Sequence, residues 1–210
     1  MHIAIIANGE INDYAATKKK LQSAAYIIAC DGGLRHAEAM DIWPNVIIGD
    51  LDSALPDYLA ACKKKGIPIH TYPTEKDDTD LALAFAHALE QSPSSIIVVG
   101  ALGGRADHLI ANFHVLDMAK GIPAEIWDEN TSVQLVRDRL CLPKEGYQTI
   151  SLIPLSTEVT GITTQGLAYP LCGETLRLGV VRGVSNWFCA NEAVVAVESG
   201  VLLAIRCRKG

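Results

Sequence analysis

Residues 46–58 read VIIGDLDSALPDY. The run Val46 to Gly49 has the length and branching of a buried strand, and Pro56 marks the start of a helix, where a missing N–H costs nothing. Between them stand Asp50 and Asp52, two like charges that repel each other unless something positive sits between them. A strand that ends in acids and feeds a helix is half of a βαβ unit.

The same alternation extends in both directions. From residue 1 to about 127, the apolar runs IAIIA, YIIAC, VIIG, IPIHTY, IIVVG and AEIW are separated by helix-length segments, which predicts parallel strands joined by helices. TDLALAFAHALEQ is apolar or alanine-rich nearly all round, so it reads as a buried helix. RADHLIANFHVLDMAKG reads as another, closed by Gly121. Beyond about residue 130 the helical period disappears. TSVQLVRDRLCL, QTISLIPLS, EVTGITTQG, ETLRLG, NEAVVAVES and VLLAIRCR follow, β-branched and spaced by Gly, Pro or Asn, as in an antiparallel sandwich or barrel. The expected organisation is an α/β domain over 1–129 and an antiparallel sandwich or barrel over 130–210.

Composition bounds the function. A chain of 210 residues that is 49% hydrophobic can bury a substantial core. A net charge of −6 argues against nucleic-acid or membrane-surface partners. The lysine runs 18–20 and 63–65 fall late in predicted helices, where cations suit the dipole and water. The six cysteines form no CxxC pair, so neither a zinc site nor a disulfide scaffold is indicated, and buried free thiols are expected. The opening MHIAIIANGE has no basic leader, and no apolar run reaches membrane-spanning length; the expectation is a soluble, cytoplasmic protein.

In an open α/β sheet, ligands bind beyond the carboxyl ends of the strands. Asp31 of ACDGG, Asp50 with Asp52, and the segment GALGGRADH all follow predicted strands, while EKDDTD places Asp77, Asp78 and Asp80 at the start of the buried helix. Taken singly, each acid suits a turn or a helix cap. Together they repel unless a cation compensates, and Mg2+ prefers oxygen ligands from carboxylates and phosphates. Side chains two apart in an extended segment point the same way, which would let Asp50 and Asp52 share the ion. Gly49 would allow a ligand close to the backbone. Gly103, Gly104 and Arg105, leading into a helix, make a phosphate seat. The segment is neither GxxxxGK[ST] nor a well-formed GxGxxG, so the reading is nucleotide handling on an acidic, metal-dependent edge.

The ordered set DGG (31–33), GDLDS (49–53), DDTD (77–80), GGRADH (103–108) and SN (185–186), followed by a β-rich tail, resembles the thiamin pyrophosphokinases of bacterial type over essentially the whole chain. The resemblance implies a Rossmann-like domain followed by a β-sandwich. It implies transfer of pyrophosphate from ATP to the hydroxyl of thiamin, giving thiamin diphosphate and AMP, in a homodimer with active sites between subunits. Carried over, Asp50, Asp52 and Asp80 are Mg2+ ligands, and Asp31 and Asp107 lie near the ATP phosphates and the acceptor. Gly32, Gly33, Gly103, Gly104, Arg105 and His108 belong to the ATP site. Ser185 and Asn186 contact thiamin, with Tyr169 of GLAYP or Trp187 stacking on it. Such a transfer depends on positioning and charge neutralisation, with Asp107 or Asp31 available to accept the alcohol proton and His108 as the rival base. The competing readings are a Mg2+-dependent nucleotide pyrophosphohydrolase and a non-catalytic Mg-ATP sensor.

Overall fold

The apolar runs of the N-terminal half become the parallel strands β1 (His2–Ile6), β2 (Tyr26–Cys30), β3 (Val46–Gly49), β4 (Ile69–Thr71), β5 (Ser95–Val99) and β6 (Ala124–Trp127). The structure is a computed structural model that describes residues 1–52, 55–73 and 78–208; Asp77 lies outside the described residues. The chain divides into two units, Met1–Glu129 and Asn130–Gly210.

In the first unit the strands lie in the order β4-β3-β2-β1-β5-β6, each pairing parallel with its neighbour. They alternate with α1 (Tyr14–Leu21), α2 (Leu34–Ala39), α3 (Pro56–Lys64), α4 (Asp80–Glu90) and α5 (Ala106–Val115). Ala4, Ile6, Ala29, Ile47 and Val99 share a core with Leu21, Leu34, Tyr58 and Cys62 of the first three helices. The alternate strand residues project from the opposite face, and α4 packs across β1, β2 and β3 with Leu81, Ala84, Phe85 and Ala88 buried. With both faces covered, the strands are apolar throughout rather than alternating.

The expectation that the helix beginning near Arg105 is buried does not hold. In α5 only Val115 is buried, and Ile110 is 59% exposed. Apolar residues spread all round a helix do not say which face meets the protein; α5 makes its contacts with α4 and with the 3-10 turn Leu116–Ala119.

The chain works outward from β1 to β4, then crosses back to place β5 on the other side of β1. Connections leaving β1 and β5 therefore diverge, and a crevice opens between their carboxyl ends.

The second unit contains β7 (Thr131–Val136), β8 (Arg139–Pro143), β9 (Thr149–Pro154), β10 (Glu158–Gln165), β11 (Cys172–Arg177), β12 (Asn186–Trp187), β13 (Glu192–Ala196) and β14 (Leu202–Cys207). They form two antiparallel layers, β12-β9-β14-β7 and β11-β10-β13-β8. Ile150, Leu152 and Leu202 from one layer and Leu142, Ile162 and Val195 from the other meet in a single core, a β-sandwich. All six cysteines are free, but only Cys30 and Cys62 are buried; Cys141, Cys172 and Cys189 are exposed, against the expectation of burial.

Candidate active site

A cleft of about 660 Å3 occupies the crevice. Ala7, Asn8 and Gly9 enter it from β1, Cys30 from β2, Asp50 from β3, and Gly100 to Arg105, without Leu102, from β5; Asp78 to Leu81 open α4 on its wall, and His108 and Asn112 face it from α5.

Asp31 opens a 3-10 turn directly after β2 with φ +38°, a backbone strained for any residue with a Cβ. It is 7% exposed, and its Oδ1 is buried without a hydrogen-bond partner among the described residues. One carboxylate oxygen from each of Asp31, Asp50 and Asp52 lies within 4.8 Å of the others. Burial raises the Asp31 carboxyl above its ordinary range, and the charges of Asp50, Asp52 and Asp80 raise it further, against the lowering hydrogen bond from Gly32. An orphaned buried carboxylate oxygen within an all-oxygen donor set fits a hard divalent cation such as Mg2+. Asp80 lies outside this trio, on the cleft wall at the first turn of α4, where Thr79 caps the helix by accepting from Ala82 N–H at 3.2 Å.

Three local expectations are corrected. Asp50 and Asp52 are not related by an extended backbone: Leu51 has φ +67°, and Asp52 N–H donates to Asp50 Oδ1 at 3.3 Å, so a turn brings the acids together. Gly49 makes room for Asp31 rather than for a ligand, because a Cβ there would lie 2.8 Å from the Cβ of Asp31. Gly32 and Gly33 are buried and do not line the cleft; side chains on them would meet Asn8 Oδ1 at 2.4 Å and Ile6 O at 2.2 Å. Gly103 and Gly104 do line it, with φ +80° and +71°.

Arg105 precedes α5, and its guanidinium forks onto Asp107, Nη2 to Oδ2 at 2.7 Å and Nε to Oδ1 at 3.2 Å, with both side chains well exposed. Asp107 also accepts from His108 N–H at 2.9 Å. The Arg105 hydrogen bonds, with the His108 N–H second, pull the Asp107 carboxyl down to about 2. A group so acidic is a weak proton acceptor, so Asp107 suits orienting Arg105 better than acting as a base.

In the second unit, Asn186 Oδ1 accepts from the N–H groups of Tyr169 and Trp187, each at 3.0 Å, and its Nδ2 donates to the Tyr169 carbonyl at 2.7 Å. Its amide therefore ties the Tyr169 segment to β12. Ser185 has φ +60°, and its N–H donates to Ser151 Oγ at 3.1 Å. Tyr169 and Trp187, 61% and 48% exposed, meet edge to face at 5.0 Å; the two stacking candidates form one aromatic pair. Beside them Leu152, Tyr169, Leu176, Arg182, Val184 and Asn186 help line a cavity of about 160 Å3.

Sequence reasoning missed Ala7, Asn8, Gly9 and Asn112 as cleft residues, while Cys30, Thr79 and Gly100 stood inside the quoted motifs without a role. The segment IANGE ends the first predicted strand, so the carboxyl-edge rule applied to DGG reaches Asn8 and Gly9 as well. Asn112, two turns into a helix and bound through Nδ2 to Ala101 O at 2.9 Å, carries no local signal.

Residues 17–126 match the model for the thiamin pyrophosphokinase catalytic domain, and residues 139–202 that for the thiamin pyrophosphokinase vitamin B1 binding domain. The thiamine pyrophosphokinase of Bacillus subtilis is 32% identical over 169 residues, 79% of each chain. A crystal structure of thiamine pyrophosphokinase from Bacillus subtilis superposes with a TM-score of 0.90 at 27% identity, covering 100% of both chains. One from Geobacillus thermodenitrificans gives 0.87 at 25% identity, covering 99% of this chain and 97% of that one.

Proposed function

Since the chain belongs to the thiamin pyrophosphokinase family, we propose that it transfers the terminal pyrophosphate of ATP to the hydroxyl of thiamin, with Mg2+, giving thiamin diphosphate and AMP. The observation that carries the site assignment is the trio Asp31, Asp50 and Asp52, one of whose members, Asp50, lines the switch-point cleft. Asp50 and Asp52, together with Asp31 and Asp80, would hold the metal. When bound, Mg2+ neutralises charge on the phosphates undergoing attack.

The chain's own groups supply the remainder. Gly103 and Gly104, both in left-handed conformation, bring main chain to the cleft wall without Cβ atoms to obstruct a phosphate. Arg105, held by Asp107, presents its cation at the rim. Tyr169 and Trp187 offer an aromatic surface to the thiamin ring, with Asn186 holding them in register and Ser185 adjacent.

The homodimer belongs to the same proposal. Leu178, Val180, Val181 and Val184 are 64%, 53%, 85% and 46% exposed, more contiguous apolar surface than scattered side chains leave, and a second copy would cover it. A cytoplasmic location is supported by six unpaired thiols, which a reducing compartment preserves. No helix among the described residues is long and apolar enough to cross a membrane. No observation favours the hydrolase or the sensor.

A phosphorus NMR time course with ATP and Mg2+, with and without thiamin, tests the proposal. AMP and thiamin diphosphate should appear only with thiamin. Pyrophosphate and AMP without thiamin would identify a hydrolase, and ADP would contradict attack at the β-phosphorus.

A further inference from the structure

The loop after β1 lines the cleft with Asn8 and Gly9, yet its carbonyl oxygens are held by α2 side chains that do not line it. Arg35 Nη2 donates to the Asn8 carbonyl at 2.8 Å and to the Gly9 carbonyl at 3.3 Å. His36 Nε2 lies 2.7 Å from the Gly9 carbonyl. A carbonyl oxygen only accepts, so Nε2 carries the hydrogen. The ring is 3% exposed, which favours the neutral form, and its Nδ1 then accepts from the Tyr14 hydroxyl at 2.8 Å. Across the loop, Gly9 N–H donates to the Gly100 carbonyl at 2.6 Å.

The loop in turn touches the acidic turn. A Cβ on Gly32 would lie 2.4 Å from Asn8 Oδ1, so the Asn8 carboxamide rests on the segment Asp31–Gly33. Leu34, the first residue of α2, follows that segment directly. A closed circuit results, running from the acidic turn into α2, through Arg35 and His36 to the β1 loop, and back through Asn8 to the turn.

We infer that Tyr14, Arg35 and His36 are positioning residues for the nucleotide end of the cleft. They hold the carbonyl dipoles of residues 8 and 9 away from the place a polyphosphate would occupy, and they seat Asn8 against the turn that carries Asp31. The inference rests on the nucleotide reading of the cleft.

The test compares His36→Gln with His36→Asn. The glutamine amide reaches the position of Nε2, whereas the asparagine amide reaches only that of Nδ1. Binding of α,β-methylene-ATP with Mg2+ is measured by calorimetry, alongside KM for ATP and for thiamin. His36→Asn should weaken nucleotide binding about tenfold, the scale of one lost buried hydrogen bond, with KM for thiamin unchanged. His36→Gln should recover most of the loss. Equal affinities in the two variants, or both KM values rising together, would overturn the positioning role. A wild-type protein that fails to bind the analogue would overturn the nucleotide reading, and the positioning role with it. Should the His36 variants not fold, Tyr14→Phe keeps its ring and loses only the hydroxyl; unchanged nucleotide affinity there would overturn the inference.

Discussion

Asp31 concentrates the tension of the site. It is an acid placed where burial and three neighbouring carboxylates oppose its charge. A carboxyl raised in the folded state favours folding fully below its ordinary value of 3.8 and loses that contribution as pH rises through the raised value. In EDTA, Asp31→Asn should therefore have a higher Tm than the wild type at pH 7 to 8, and the gap should close on acidification. Calorimetric melts across that range check this; a gap independent of pH would contradict it. With Mg2+ added, the wild type should gain stability that the variant does not. Asp52→Asn should fold normally and lose roughly two orders of magnitude or more in turnover, the scale of a lost electrostatic stabiliser, as steady-state assays at low Mg2+ would record. The acids were legible in the sequence because clustered like charges need a cation. The glycines were legible only as glycines, since the groups that forbid a side chain at Gly49 and Gly32 are Asp31 and Asn8, both distant along the chain.

The first turns of α4 and α5 carry the next level. Thr79 caps α4 one residue before Asp80, so Thr79→Ala should lower stability by about 1 kcal/mol in urea unfolding. It should also weaken Mn2+ binding measured by electron paramagnetic resonance, and Thr79→Ser should preserve both. At α5, Asp107 stays ionised above about pH 2, so it cannot set an acid limb near neutrality. Asp107→Asn should leave the limbs of the kcat/KM pH profile in place while raising KM for ATP, because Arg105 loses its fork. The start of α3 was readable from Pro56, but the cap of α4 is the Thr79 hydroxyl rather than one of the neighbouring acids, and α5 has no side-chain cap. The burial of α5 was not readable, because periodicity shows that a helix has apolar residues without showing which other helix has already taken the sheet. The strand β12, two residues long, falls below what alternation can reveal.

Over the whole molecule, each unit encloses its own core, and the proposed ligands divide between them. Hydrogen exchange should show ATP analogue with Mg2+ protecting the ends of β1, β3 and β5 and the starts of α4 and α5. Thiamin should protect the stretch from Tyr169 to Trp187. A nucleotide sensor would give the first pattern without the second. The fold class of each unit was legible because parallel strands covered on both faces are continuously apolar, whereas sandwich strands are short and broken by turn residues. The joining of Tyr169 to Trp187 was not, since it depends on Asn186 spending its amide on backbone groups of the chain itself.

The bond between Gly9 N–H and the Gly100 carbonyl has a kinetic meaning. A Cβ on Gly9 would lie 2.4 Å from that carbonyl, and one on Gly100 would lie 2.6 Å from the Ala7 carbonyl, so the main chains meet as closely as atoms allow. Among the described residues, the floor of the crevice is already shaped before anything arrives. Capture of nucleotide should then follow encounter alone, with an observed stopped-flow rate that climbs linearly with concentration and shows no plateau.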